Sequence, residues 1–280
     1  MKDFANAVRS ASSTLLRSGY AIVRTGGLMK ACLDETFDDA DGFFARTAAE
    51  KARFSRPDIL EGHRAFGAEF SGDASRPDLN ETYSLVLRNQ TRPDIAGWRA
   101  ANPLHGDLCR AAPFYATLAN GVLDDLRDAV DPEGDRIDAA EFSYLQLNYY
   151  RPGRETRDLL QDAHEDGHLL TIVTSRQPGL EFEVDGRFEP ANLAPDELLI
   201  MPGGILTLMT GGLMQPLVHQ VRNVPGLRKR ASLMFFVNAS VANPPRAWIA
   251  ARDGTYPDIR QATIESSQMF GLGSIGALAQ

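Results

Sequence analysis

The sequence predicts an α+β chain, mainly β, with N-terminal and flanking helices around a β-sandwich or jelly roll. Three observations carry this reading. Seven short apolar runs separated by turns fill the stretch from Phe142 to Val237, Asp185-Gly186 within it is a strong two-residue hairpin signal, and helical periodicity marks the part before Asp131.

Taken in order, Phe4, Val8, Ala11 and Leu15 recur at helical spacing, then yield at Gly19 to a strand, Tyr20 to Val23, closed by Gly26-Gly27. A second helix is expected from about Leu28 to Arg46. Between Ser55 and Thr91, breaks at Pro57, Gly62, Gly67, Gly72 and Pro77 predict loops and short strands. Phe114, Leu118, Val122 and Leu126 predict a helix over Ala112 to Val130. The strand series follows as Phe142 to Tyr150, Leu169 to Val173, Leu180 to Val184, Leu198 to Met201, Ile205 to Met209, Leu217 to Val221 and Ser232 to Val237. These elements read as one unit over 1–280: a mixed helical region over 1–138, the jelly-roll core with the metal site over 139–240, and a tail or lid over 241–280.

Composition narrows the function. The net charge is −8 without any basic block, which excludes an electrostatic footprint for nucleic acid. Cys32 and Cys109 are the two cysteines, too few for a disulfide framework or a four-cysteine zinc site, so a metal must rest on His, Asp and Glu. Leu198 to Val218 is 21 uncharged residues, the length of a membrane span, but Pro202-Gly203-Gly204, Gly211-Gly212 and Gln215-Pro216 cut it into strand-sized pieces, and no membrane partner is expected. An acid at Asp3, where a secretion signal would be apolar, points to the cytoplasm. Arginine outnumbers lysine 25 to 4, which fits a GC-rich bacterial genome.

Five histidines leave few candidate ligands. His105-Gly106-Asp107 sits in a Pro/Gly-containing connection, where Asp107 serves the N-terminal region of the following helix rather than a metal. His164-Glu165-Asp166 instead leads into the β-rich half, and His219 falls on a later strand. Two imidazoles and one carboxylate form the facial set that binds non-haem Fe(II) and leaves positions open for substrate and oxygen. Downstream, Arg230 and Ser232 share a strand face and offer a bidentate cation and a hydroxyl to one carboxylate; Asn148 and Tyr150 share another. Singly, each has an ordinary reading: a core histidine, a solvated strand edge, a turn residue, a core aromatic. In this order on predicted strands, the set points to a metal beside a carboxylate pocket.

These residues resemble the isopenicillin N synthase-like branch of the Fe(II)- and 2-oxoglutarate-dependent oxygenases. Early similarities are Gly19 to Val23, Phe43-Phe44-Ala45 through Glu50-Lys51, Gly67-Ala68-Glu69 and Asn80 to Tyr83. The more specific ones are Asn148-Tyr149-Tyr150, His164-x-Asp166 with Leu170 to Val173, Pro178-Gly179-Leu180, Thr210-Gly211-Gly212, His219-Gln220-Val221 and Arg230-x-Ser232-x-x-Phe235-Phe236. The resemblance implies a double-stranded β-helix core, Fe(II) on His164, Asp166 and His219, and the distal carboxylate of 2-oxoglutarate on Arg230 and Ser232 with help from Tyr150 and Asn148. Pro216, Gln220 and Arg151 depart from the family pattern without removing a ligand.

The implied activity is oxidation of a small molecule by O₂, by hydroxylation, desaturation or ring closure, with release of succinate and CO₂, in a monomer or homodimer. Alternatives are an isopenicillin N synthase-type oxidase that uses no 2-oxoglutarate, and a non-catalytic small-ligand binder. Tyr83, Val173, Met209 and Phe270 are the expected substrate wall, with Met269 to Leu272 as a lid. His63 is expected to approach substrate from the helical side, and His168 to stand beside the site or at the surface.

Overall fold

The computed structural model describes residues 2–151 and 157–268. Chain order begins α1 (Lys2–Ser18), β1 (Ala21–Arg24), α2 (Gly27–Phe44), α3 (Ala48–Ala52), β2 (Ser55–Arg56), β3 (Glu61–Arg64) and β4 (Asn80–Val86). It continues with α4 (Trp98–Ala101), α5 (Pro103–Val130), α6 (Ala139–Phe142), β5 (Tyr144–Tyr150), β6 (Leu159–His164), β7 (Leu170–Ser175), β8 (Leu180–Val184) and β9 (Arg187–Pro190). Last come β10 (Glu197–Pro202), α7 (Gly204–Met209), β11 (His219–Arg222), β12 (Arg230–Val237) and α8 (Ile259–Gln268).

The strands form two antiparallel sheets, a major one in the order β1-β10-β7-β12-β5-β4-β3-β2 and a minor one in the order β6-β11-β8-β9. Stacked sheets with helices on the outside are the jelly-roll architecture the sequence predicts. The N-terminal strands are part of it: β1 closes one edge on β10, while β4 pairs β5 along seven residues.

Strand parity decides what the major sheet shows to each side. On β12, Ala231, Leu233, Phe235 and Val237 pack in the large apolar core with α1, α2 and α5, and Met234 and Phe236 join the core that faces the minor sheet. β5 repeats the division, with Leu145, Leu147 and Tyr149 toward the helices and Tyr144 toward the minor sheet. Buried on both faces, the strands read as continuous apolar runs rather than alternating ones. Asp185-Gly186 makes the expected turn between β8 and β9, with φ of 50° and 75°, the positive pair that a two-residue hairpin of this twist requires.

Two elements differ from expectation. Ile205 to Met209 is not a strand but the body of α7, a single helical turn and a half whose start is fixed by Gly204 N donating to the Asp166 carbonyl at 2.8 Å. α5 begins at Pro103 rather than Ala112, with Pro at its first turn, and runs through Pro113. Leu104, Leu108, Ala111 and Tyr115 extend its buried stripe upstream, so His105-Gly106-Asp107 lies inside the helix and not in a connection. Leu198 to Val218 spans β10, α7 and a turn; among the described residues no helix is long and apolar enough to cross a membrane.

Candidate metal centre and cosubstrate pocket

Pairing of β11 with β6 sets His219 directly opposite His164, which brings together two histidines far apart in sequence. Asp166 follows in the turn after β6, and its backbone carbonyl is held by the start of α7. A Cβ on Gly203 would stand 2.3 Å from the His168 carbonyl and 2.8 Å from that of Asp166, so only glycine lets this loop lie against α7.

The three side chains offer ligand atoms all within 4.8 Å of one another. His164 Nε2 is 3.6 Å from Asp166 Oδ1, and His219 Nε2 is 3.7 Å from Asp166 Oδ2. Tautomers follow from the other ring nitrogens. His164 Nδ1 donates to the Asp162 carbonyl at 2.8 Å and His219 Nδ1 to the Leu217 carbonyl at 3.0 Å, so each Nε2 presents its lone pair to the centre. Thr171 Oγ1 donates to Asp166 Oδ2 at 2.5 Å and orients the carboxylate. Burial raises the Asp166 carboxyl, but the neighbouring imidazoles outweigh it and hold the group well below the usual range, ionised as a metal ligand must be. Nitrogen and oxygen ligands sit about 2.0–2.2 Å from a divalent ion, and donors this close fit one ion with only side-chain adjustment.

Beside this centre a cleft runs between the sheets, lined by Asn148, Tyr150, Val173, Arg230 and Ser232 together with apolar side chains such as Met234. Arg230 is fully buried. Its Nη1 donates to Ser232 Oγ at 3.0 Å, its Nε to the Pro178 carbonyl at 3.2 Å, and the guanidinium lies 5.2 Å from the Tyr150 ring centre. Gly179, at φ 118°, is what allows that approach: a Cβ there would meet the Arg222 carbonyl at 2.9 Å and Arg230 Nε at 3.4 Å. Arg230 Nη2 is buried without a hydrogen-bond partner, and no carboxylate pairs the cation among the described residues. Burial depresses its pKa, the mark of a charge short of a counter-ion. Asn148 donates to Tyr150 Oη at 3.2 Å, and that hydroxyl donates to Gln161 at 2.9 Å. A bound carboxylate would complete this pocket.

Of the other expected residues, Val173 lines the cleft, and Phe270 with Met269 to Leu272 lies outside the described residues. Tyr83 is a correction. It pairs with Leu147 and shares that residue's parity, so its ring is buried against the helices with Phe43, and its hydroxyl bonds His105 and Asn102. Met209 is also a correction: it ends α7 and is fully buried in the helix-side core. His63 is buried beside Glu81 at 2.9 Å, away from the cleft. His168 is buried, with Nδ1 donating to Asn238, and lines a second compartment next to the metal centre. His105 is held by Tyr83 and Gln90, and burial lowers it to about 4. Sequence reasoning passed over Thr171, Gln161, Met201, Met234 and Phe236, although parity on β12 points Met234 and Phe236 to the same face as Arg230. Among the departures, Gln220 donates to Glu181, and Arg151 bonds the Phe44 carbonyl.

A jelly roll carrying two histidines, one carboxylate and a buried arginine defines a class of metal-dependent oxygenase domains. Residues 141–239 match the family model described as the 2OG-Fe(II) oxygenase superfamily. A 2-oxoglutarate-dependent dioxygenase of Gibberella zeae is 24% identical over 74% of this chain and 65% of its own length, and mugineic-acid 3-dioxygenase of Hordeum vulgare is 27% identical over 72% and 61%. The chain thus spans less than two thirds of these two relatives. The crystal structure of a Caulobacter crescentus protein, described as of the 2OG-Fe(II) oxygenase family, superposes with a TM-score of 0.75 at 21% identity, covering 95% of both chains. Over residues 141–239, the part that carries His164, Asp166, His219, Arg230 and Ser232, the chain is similar to the 2OG-Fe(II) oxygenase superfamily.

Proposed function

We propose that the chain oxidises a small organic molecule at a carbon held beside His164, Asp166 and His219, with 2-oxoglutarate seated by Arg230, Ser232, Tyr150 and Asn148. One O₂ is consumed for each 2-oxoglutarate converted to succinate and CO₂; hydroxylation places the second oxygen atom on the substrate, and desaturation or ring closure releases it in water. Bound iron would supply the oxygen chemistry, and the protein supplies three ligands, open positions and a dry cleft.

The observation that carries this reading is Arg230. A guanidinium at 0% exposure, without a carboxylate partner among the described residues, is expensive unless a ligand brings the anion. Ser232 fixes one arm of its fork, and Gly179 leaves room for Nε to reach the Pro178 carbonyl. The apolar lining at Val173, Met201 and Met234 excludes water around the reacting end. The family resemblance, with an arginine-over-lysine excess that fits a GC-rich bacterial source, supports a small metabolite of bacterial secondary metabolism.

Oxygen uptake and succinate release, measured together on the Fe(II)-loaded chain with a metabolite extract, test the proposal. One succinate per O₂ is the expected result. Oxygen uptake that proceeds equally without 2-oxoglutarate would instead support the isopenicillin N synthase-type oxidase.

A further inference from the structure

A second compartment adjoins the metal centre; Asp78, Glu69, Gln146 and His168 line it with the ligands His164 and Asp166, and Arg230 does not. Its two non-ligand carboxylates are in different states. Glu69 is satisfied: Arg64 Nε donates to it at 2.6 Å, Thr82 at 2.9 Å and Gln146 at 3.0 Å. Asp78 is 2% exposed, and only its Oδ2 has donors, Ser71 at 3.0 Å and Gln161 at 3.2 Å. Asp78 Oδ1 is buried with no hydrogen-bond partner among the described residues. A buried acceptor left unmet costs about 1–3 kcal/mol, more when charged, so the fold holds Asp78 open for a donor it does not itself provide.

Charge identifies that donor. Arg64 offsets Glu69, while Arg76 and Arg157 are both bound to Asp162. In the loaded site the divalent iron and Arg230 offset Asp166 and the two carboxylates of 2-oxoglutarate. Burial pushes the Asp78 carboxyl up to about 6, which leaves it ionised at neutral pH. We propose that Asp78 is a specificity-determining residue, and that the substrate class is a small molecule bearing a protonated amine, whose ammonium binds Asp78 Oδ1 while a nearby carbon faces the metal. The inference rests on the oxygenase reading above and adds the substrate chemistry.

Anaerobic calorimetry on the full chain loaded with Fe(II) and 2-oxoglutarate tests it. The probes are primary ammonium ions of graded size, n-butylammonium through 2-phenylethylammonium, each beside its N-acetyl derivative. The ammonium member of at least one pair is expected to bind tenfold or more tightly than its acetyl partner. Asp78→Asn should abolish that preference with 2-oxoglutarate affinity unchanged, while Ser71→Ala, which leaves the charge in place, should retain it. Should Asp78→Asn fail to fold, the wild-type ratio decides alone. Equal or tighter binding of the acetyl members, no ammonium binding, or a preference that survives in Asp78→Asn overturns the inference. Failure of 2-oxoglutarate to load overturns the oxygenase reading as well, whereas loading without an ammonium preference overturns only this one.

Discussion

Two buried residues of the major sheet, Arg230 on β12 and Tyr83 on β4, show how a side chain's parity separates chemistry from packing. Arg230 points between the sheets, where its fork has Ser232 on one arm and nothing on the other. A charge-assisted hydrogen bond is worth about 1.5–3 kcal/mol, so Arg230→Ala should weaken 2-oxoglutarate binding at least tenfold, read by calorimetry on the metal-loaded chain; unchanged affinity would remove it from the pocket. Tyr83 points the other way, hydrogen-bonded to His105 at 3.1 Å and to Asn102 at 3.1 Å. Tyr83→Phe should therefore lower stability by about 1 kcal/mol in urea unfolding and leave 2-oxoglutarate affinity as it is. The candidate site's residue types were legible because His164, Asp166, His219, Arg230 and Ser232, which the structure brings together, offer donor chemistry that few other residues provide. The facing of Tyr83 was not, since a strand buried on both sides loses the alternation that would reveal it.

At the scale of elements, the metal loop depends on a glycine rather than on a ligand. Gly203 lets β10 and α7 pass within contact of the Asp166 and His168 carbonyls. Gly203→Ala forces backbone apart, and overpacking of this kind costs about 1–3 kcal/mol; a lower urea midpoint with weaker Mn(II) binding is the expected pair of results. Most strands could be read from apolar runs with turns between them. β6 was missed because Leu159 to His164 holds Gln161 and Asp162 among its six residues, and its pairing with β11, rather than its own pattern, makes it a strand. α7 was read as a strand because a run of five residues with four apolar side chains, Ile205, Leu206, Leu208 and Met209, is too short to show a period; the backbone bonds to the metal loop decide it. α5 was shortened because the Pro/Gly-containing stretch before Ala112 reads as a connection, whereas its buried stripe carries the helix back to Pro103.

Across the whole molecule, buried titratable groups away from the cleft tie stability to pH. Glu61 is fully buried beneath Asn89 and Gln90, and burial raises its carboxyl from the ordinary 4.5 to about 7. The folded state favours its neutral form, so this contribution is present in full below about pH 4.5 and is lost as pH rises through about 7. Glu61→Gln should gain stability relative to the wild type as pH rises across that window, measured as the difference in urea midpoints; a constant difference would contradict the assignment. His105, lowered to about 4, acts in the opposite direction, its contribution present above pH 6.5 and lost on acidification through about 4. Both groups lie on the helix side of the major sheet, so the pH response of the fold is separable from that of the cleft. The central claim is that one ion on His164, Asp166 and His219 and one cation at Arg230 together seat 2-oxoglutarate. Anaerobic calorimetry of 2-oxoglutarate into the chain with and without Fe(II) tests it most directly. One site per chain, present only with the metal and weakened at least tenfold by Arg230→Ala, is predicted; binding that ignores the metal, or no binding at all, would contradict the account.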